Sequence, residues 1–388
     1  MGYFMINKMK DKLLIALSIL LCSSCAHLKQ KRDSRESLKE SYEQAFIIGT
    51  AVSEEIILKD TLSKNIVLKH FNTITPENVM KAEVINPEPG VYNFKPADDF
   101  VDFGQKNQMF IVGHTLVWHN QTPDWFFGKK DGSKRDKKEL VSLIKSYIDT
   151  VVGRYRGRVH AWDVVNEVID ENGEYRSTTW VNGIGNGDEL VELAFKSAQE
   201  TDPDAELYYN DFNVWRPAKR DGIVRLVRML QKKGIRIDGV GMQAHWGLNY
   251  PKNEYIEAAI DTFASLGIKV MISELDIDIL PLTKEGQIIG RCFTEKQFQL
   301  EEFEDFLDPY KEGIPDEIEK KLTNRYTELF QIFNSKSDKI SRVTFWGVHD
   351  GMSWKNTYPI PNRTNYPLLF NRDKSAKPVV RKLIELAN

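Results

Sequence analysis

The 388-residue chain sets 53 Lys and Arg against 56 Asp and Glu, a net charge of −3; so balanced a surface gives no reason to expect nucleic acid or an acidic polymer as partner. Its 41% hydrophobic content is enough for a sizeable core. The length exceeds an average domain but suits a single barrel of alternating strands and helices. No repeat, low-complexity tract or Pro/Gly-rich linker marks a second module.

Lys8, Lys10 and Lys12 precede an apolar run from Leu13 to Leu21, and Ser23 and Ser24 stand before Cys25. A basic stretch, a short apolar stretch and small residues at a cleavage point make an export signal. The run is too short to span a membrane, which takes about 20 apolar residues. Leu-Leu-Cys-Ser-Ser-Cys resembles a bacterial lipoprotein signal, with Cys25 as the lipid-bearing residue; Cys22 fits less well after bulky Leu21. The alternative is an ordinary cleaved signal with incidental cysteines. The expectation is therefore an exported protein, tied to the cell envelope or surface by a lipid at the end of segment 1–25, and otherwise secreted or periplasmic. Residues 26–44 are charged and polar and read as a solvated tether. Only Cys292 then remains in the mature chain, so no internal disulfide is possible.

From residue 45 short apolar runs alternate with longer amphipathic stretches. Strands are predicted over 46–52, 70–75, 110–117, 160–166, 206–210, 239–245, 269–274 and 342–348. Runs this short and apolar suit parallel strands buried on both faces. Helical spacing marks 136–152, 188–200, 217–233, 255–266, 316–333 and 378–387, several ending at a Gly such as Gly234 or Gly267. Eight strands with intervening helices and no Gly-rich phosphate loop favour an α/β fold of the (β/α)8 TIM-barrel type, one catalytic domain over 45–388, above a doubly wound open sheet. About forty residues, 280–316, separate the seventh strand from the next helix; following a strand, they belong on the barrel's active face.

In such a barrel the chemistry sits where the strands end. Strand two ends in Thr75-Pro-Glu-Asn78 with Lys81 a turn on, strand three near His114, Trp118, His119 and Gln121, and strand four in Asn166-Glu167. Strand five gives Asn210, strand six Gln243 and His245, strand seven Glu274 and Asp276, and strand eight Trp346 with His349 and Asp350. Glu167 and Glu274 close two different strands. Cleavage of a glycosidic acetal needs two such carboxyl groups, one to protonate the leaving oxygen and one to attack carbon or activate water. Taken alone, strand-end acids also serve as metal ligands or structural partners. A catalytic metal needs clustered His and carboxylate ligands, and His114 and His119 make no obvious pair, so neither metal nor cofactor is expected. His70 and His160, at strand starts, read as structural.

At this point the motifs carry a resemblance. Trp162-Asp-Val-Val-Asn-Glu167, Ile272-Ser-Glu-Leu-Asp276, Gly113-His-Thr-Leu-Val-Trp118 and Thr344-Phe-Trp-Gly-Val-His look like those of glycoside hydrolase family 10, the retaining endo-β-1,4-xylanases. Thr75-Pro-Glu-Asn-Val-Met-Lys81, Tyr209-Asn-Asp-Phe-Asn213 and Gly241-Met-Gln-Ala-His245 are also similar. All seven occur in order, each after a predicted strand, and the resemblance covers the chain from about Phe46 onward.

The resemblance implies Glu167 as acid/base, Glu274 as nucleophile, and His245 oriented by Asp276 to keep Glu274 ionised. It implies that Asn166 bonds the sugar 2-hydroxyl and that His114, Gln243 and Asn210 frame the central sugar. Glu77, Asn78, Lys81, Trp118 and Gln121 would form the glycone-side subsites, with Trp346 and Trp354 closing over the rings. The implied substrate is xylan or xylo-oligosaccharide; the expectation is a monomer that meets a membrane only through its N-terminal lipid. His349-Asp-Gly-Met352 and the 280–316 insertion depart from the family pattern at the cleft rim, which leaves subsite number open. Another β-1,4-glycan, or a glycan-binding lipoprotein that has lost catalysis, are the rival readings.

Overall fold

A computed structural model describes residues 35–280 and 307–387. In chain order its strands are β1 (Ile47–Val52), β2 (Thr73–Pro76), β3 (Phe110–Val117), β4 (Ala161–Asn166), β5 (Glu206–Asp211), β6 (Gly239–Met242), β7 (His245–Gly247), β8 (Lys269–Asp278) and β9 (Ile340–Phe345). β1 through β6 pair in sequence, β9 pairs with β1, β8 with β9, and β6 with β8, all in parallel. Eight strands thus close a barrel. β7 is a short rider on the far half of β8, joined through His245↔Asp276. The (β/α)8 TIM barrel expected from the strand–helix alternation is the fold.

The longer helices are α1 (Thr61–His70), α2 (Lys95–Lys106), α3 (Lys137–Arg154), α4 (Gly187–Thr201), α5 (Pro217–Lys232), α6 (Asn253–Ala264), α7 (Asp316–Ser335) and α8 (Pro378–Leu386). α3 shows why these segments start where they do. Asp136 accepts from the Glu139 backbone at 2.9 Å while Glu139 accepts from the Asp136 backbone at 2.9 Å, a reciprocal cap that satisfies donors the first turn leaves free. α1 and α2 fall where the sequence pattern names no helix. The buried face of α1 is Ser63, Val67 and His70, so polar residues dilute its apolar stripe, whereas that of α2 is Ala97, Phe100, Val101 and Gly104, an ordinary amphipathic stripe. His70 therefore ends a helix and does not begin a strand.

The floor of the barrel is polar but filled. Arg342 lies over the rings of Phe110 and Tyr208, donates to the Tyr208 hydroxyl at 2.8 Å and pairs with Glu206. Higher up, Trp162 is fully buried against Gly113, where a Cβ would come within 2.2 Å of the indole. Glycine is what lets β3 and the Trp162 ring approach this closely.

The expected tether over 26–44 needs correction at its far end. Residues 26–34 lie outside the described part, but Leu38–Ser41 is a short helix capped by Ser37, and Leu38 and Tyr42 are buried. Tyr42 stacks on Phe46 and its hydroxyl donates to the Leu383 carbonyl at 2.9 Å. Two large apolar residues four apart make a stripe even inside a charged stretch, and the catalytic domain begins about ten residues earlier than position 45. The signal segment with Cys25, most of the 280–316 insertion and Cys292 also lie outside the described residues. In the described end of the insertion Leu307 packs on Ile360, and Asp308 accepts from the Thr364 backbone at 2.7 Å.

Candidate active site

Glu167 follows directly on β4, and its backbone turns left-handed there, φ 58°. A non-glycine residue in this region costs on the order of 1 kcal/mol or more. The turn is held by the Glu167 amide, which donates to the Asn210 carbonyl of β5 at 2.9 Å. The half-buried carboxylate receives the Trp118 indole N–H on Oε2 at 3.0 Å. On Oε1 it receives the amides of Gln243 at 2.9 Å and Asn166 at 3.2 Å.

Glu274 lies within β8, which runs on to Asp278 because β7 extends the ladder beside it. Its Oε1 accepts from Asn210 at 2.7 Å and its Oε2 meets His245 Nε2 at 3.1 Å. The same Asn210 amide reaches Asn166 Oδ1 at 3.0 Å, while Ser273 donates to Asn210 Oδ1 at 2.6 Å. Both glutamates therefore hang on one network, through Asn166 and Asn210, across one mouth.

The electrostatics of Glu274 are set by its neighbours. Burial works to raise its carboxyl, but the His245 hydrogen bond, the influence of His114 and His245, and the Asn210 amide outweigh burial and hold it below the usual 4.5. His245 Nδ1 meets Asp276 Oδ2 at 3.0 Å, and the Trp354 indole donates to that same oxygen at 2.8 Å. Buried Asp276 is likewise held below its ordinary value; burial opposes this, and His245 and Lys355 overcome it.

The remaining candidates join the same set. Lys81 donates to Asn78 at 2.8 Å and Gln121 at 2.6 Å, and its ammonium lies 5.1 Å from the Trp118 ring centre. Burial pulls Lys81 down, against the pull of Glu274, Glu77 and Glu167. Burial also raises Glu77, with Lys81 opposing. His114 is fixed by Asp163 at 2.9 Å. Trp346, almost wholly buried, sets its ring edge-on to His114, 5.2 Å between centroids. Trp354 stacks on exposed Tyr358 at 5.3 Å and packs against His245 at 4.8 Å. His349 and Asp350 turn away from this set: His349 faces Asp60, and Asp350 pairs with buried Lys377 at 2.7 Å. His160 accepts from the Ile111 backbone at 2.9 Å, at the opposite end of the strands.

Asp163, Ser273 and Glu83 are parts of the site that sequence reasoning did not single out. Asp163 orients His114, Ser273 orients Asn210, and Glu83 accepts from Gln121 at 2.7 Å. Asp163 and Ser273 sit inside motifs already noted, so their proximity to Glu167 and Glu274 was the available signal.

Such a pair of carboxylates, one buried among donors and one at the cleft surface, can serve attack and proton transfer on a single acetal. Comparison with known proteins bears on the family. The sequence profile of glycosyl hydrolase family 10 matches residues 37–386. Endo-1,4-beta-xylanase A of Xylanibacter ruminicola is 40% identical over 354 residues, covering 91% of this chain and 94% of that one. Beta-1,4-xylanase of Dictyoglomus thermophilum is 40% identical over 386 residues, covering 98% and 100%. Among solved structures, a family 10 endoxylanase from a sugarcane soil metagenome matches with a TM-score of 0.83 and 39% identity, over 91% of this chain and 100% of that one. The chain belongs to glycosyl hydrolase family 10.

Proposed function

We propose that the protein is a retaining endo-1,4-β-xylanase in which Glu274 is the nucleophile and Glu167 the acid/base. The observation that carries the reading is the contrast between the two carboxylates on one network. Glu274 is buried and held ionised by His245 and Asn210, while Glu167 stands half-exposed at the cleft with Trp118 and Gln243 on its oxygens. A Glu274 oxygen attacks the anomeric carbon as the glycosidic C–O bond breaks, and the proton of Glu167 passes to the departing oxygen. The resulting glycosyl ester is opened by a water whose proton returns to Glu167, releasing Glu274. Asn166, bonded to Glu167 and Asn210, would hold the sugar 2-hydroxyl, a contact that strengthens as positive charge develops on the ring. Xylan as substrate is supported by the activity named for both curated relatives.

Glu274→Ala should lose all turnover. Glu167→Ala should lose about 10²–10⁴-fold on xylan yet retain cleavage of a dinitrophenyl xyloside, whose leaving group needs no proton. Both variants cleaving xylan at the wild-type rate would sink the assignment. A parallel panel of linear xylan, arabinoxylan, glucuronoxylan and cellulose, with product sizes resolved, separates xylanase from glucanase.

We also propose that the protein is exported and lipid-anchored at Cys25, on the strength of the Lys8–Cys25 pattern. Labelled fatty acid should enter the wild type and not Cys25→Ala; an unlabelled, fully soluble wild type contradicts the anchor.

A further inference from the structure

The segment that follows Glu167 is fastened to β5 and to the start of α5 by buried polar groups that the reaction itself does not use. Along β5 the side chains alternate: Asn210 points into the cleft, so Tyr209 and Asp211 point the other way. The Tyr209 hydroxyl accepts from the Ile169 backbone at 3.1 Å, two residues past Glu167, and donates to Asp211. Asp211 and Lys219 are both fully buried and pair at 2.8 Å. Lys219 reaches on to Glu171 at 3.2 Å, and Arg216 meets the other Glu171 oxygen at 3.3 Å.

The same loop is pressed on the helix by its backbone. Gly173, φ 83°, lies so near α5 that a Cβ there would come within 2.2 Å of the Ala218 carbonyl, and one on Gly222 within 2.3 Å of the Gly173 carbonyl. Arg225 closes the far end with a 2.5 Å bond to the Gly173 carbonyl. Glycine contact alone would seat the loop. An apolar trio in place of Tyr209, Asp211 and Lys219 would hold it with no charge to desolvate, and buried ion pairs are often no more stabilising than such a replacement. What the polar groups add is direction. Each bond fixes an orientation, and the first of them acts two residues from a carboxylate whose backbone is already in a strained conformation.

We propose that Tyr209, Asp211 and Lys219 are positioning residues that hold Glu167 in line with the departing oxygen, a reading that rests on Glu167 being the acid/base. A small displacement of a proton donor is enough to cost about 100-fold in rate, whereas the attack by Glu274, seated on β8, is untouched by the loop.

The discriminating measurement is kcat/KM for Tyr209→Phe on phenyl β-xylobioside, which requires proton donation, and on 2,4-dinitrophenyl β-xylobioside, which does not. The ratio of the two values should shift by about 10-fold or more against the phenyl substrate, with the dinitrophenyl value within about twofold of wild type. Equal losses on both substrates, or no loss on either, would overturn the proposal, because a merely structural role lowers both alike. Should Tyr209→Phe not fold, Glu171→Gln at the half-exposed end of the chain of contacts carries the same test, with a smaller shift in the same sense expected and an unchanged ratio overturning it. A wild type that cleaves neither xylobioside overturns the assigned reaction itself, and the positioning role with it.

Discussion

His245 stands between two acids, Glu274 on Nε2 and Asp276 on Nδ1. Burial acts to lower its basicity, but the charges and hydrogen bonds of Asp276 and Glu274 outweigh burial and push it up to about 9 from 6.5. A group raised on folding stabilises the native state fully below its unfolded value, and that contribution is lost as pH climbs through the folded value. Glu274, lowered on folding, behaves in the opposite sense: its share is present above 4.5 and lost in acid. The ion pair should thus stabilise most between about pH 4.5 and 6.5 and fade toward pH 9. The difference in thermal midpoint between wild type and His245→Asn should follow that course. A difference that stays constant or grows up to pH 9 would show that the imidazole is not protonated in the folded protein.

Strands and their ends were the most legible level. Short apolar runs located the eight barrel strands to within a few residues, and most of the polar residues closing them meet at the mouth, while His349 and Asp350 turn away to Asp60 and Lys377. Backbone handedness was not legible. Nothing in Gln243-Ala-His245 announces that Ala244 adopts φ 62°, yet this break divides the predicted 239–245 strand into β6 and β7 and sets His245 against Asp276. Glu167 is a second case of the same kind. Cross-strand register was equally hidden. The pairing of His114 with Asp163 follows from their being opposite one another on β3 and β4, a relation between positions 49 apart in the chain. Helix α1 leaves little apolar signature because Ser63 and His70 share its buried face with Val67, whereas α2 carries a legible stripe in Phe100 and Val101.

Across the whole molecule, the two ends of the described chain are joined. Leu38 and Tyr42 pack into the shell of the barrel, and Tyr42 links to Leu383 near the end of α8. A segment that reads as a polar leader is therefore part of the domain's stability. Tyr42→Ala should cost about 3 kcal/mol, measurable as a lower urea midpoint with unchanged slope and with kcat/KM on xylan retained in the folded fraction. Stability equal to wild type would mean that this segment is only an adornment.

The place where the chain enters has a further consequence. Residues 42–46 lead into β1 at its first residue, Ile47, so the polypeptide arrives beneath the barrel, while Glu167 and Glu274 open at the top. Were Cys25 fixed in a bilayer, its link would join the barrel on the face opposite the catalytic groove, like a string tied under a cup. A long insoluble fibre could then be gripped from the surroundings without having to pass between enzyme and membrane.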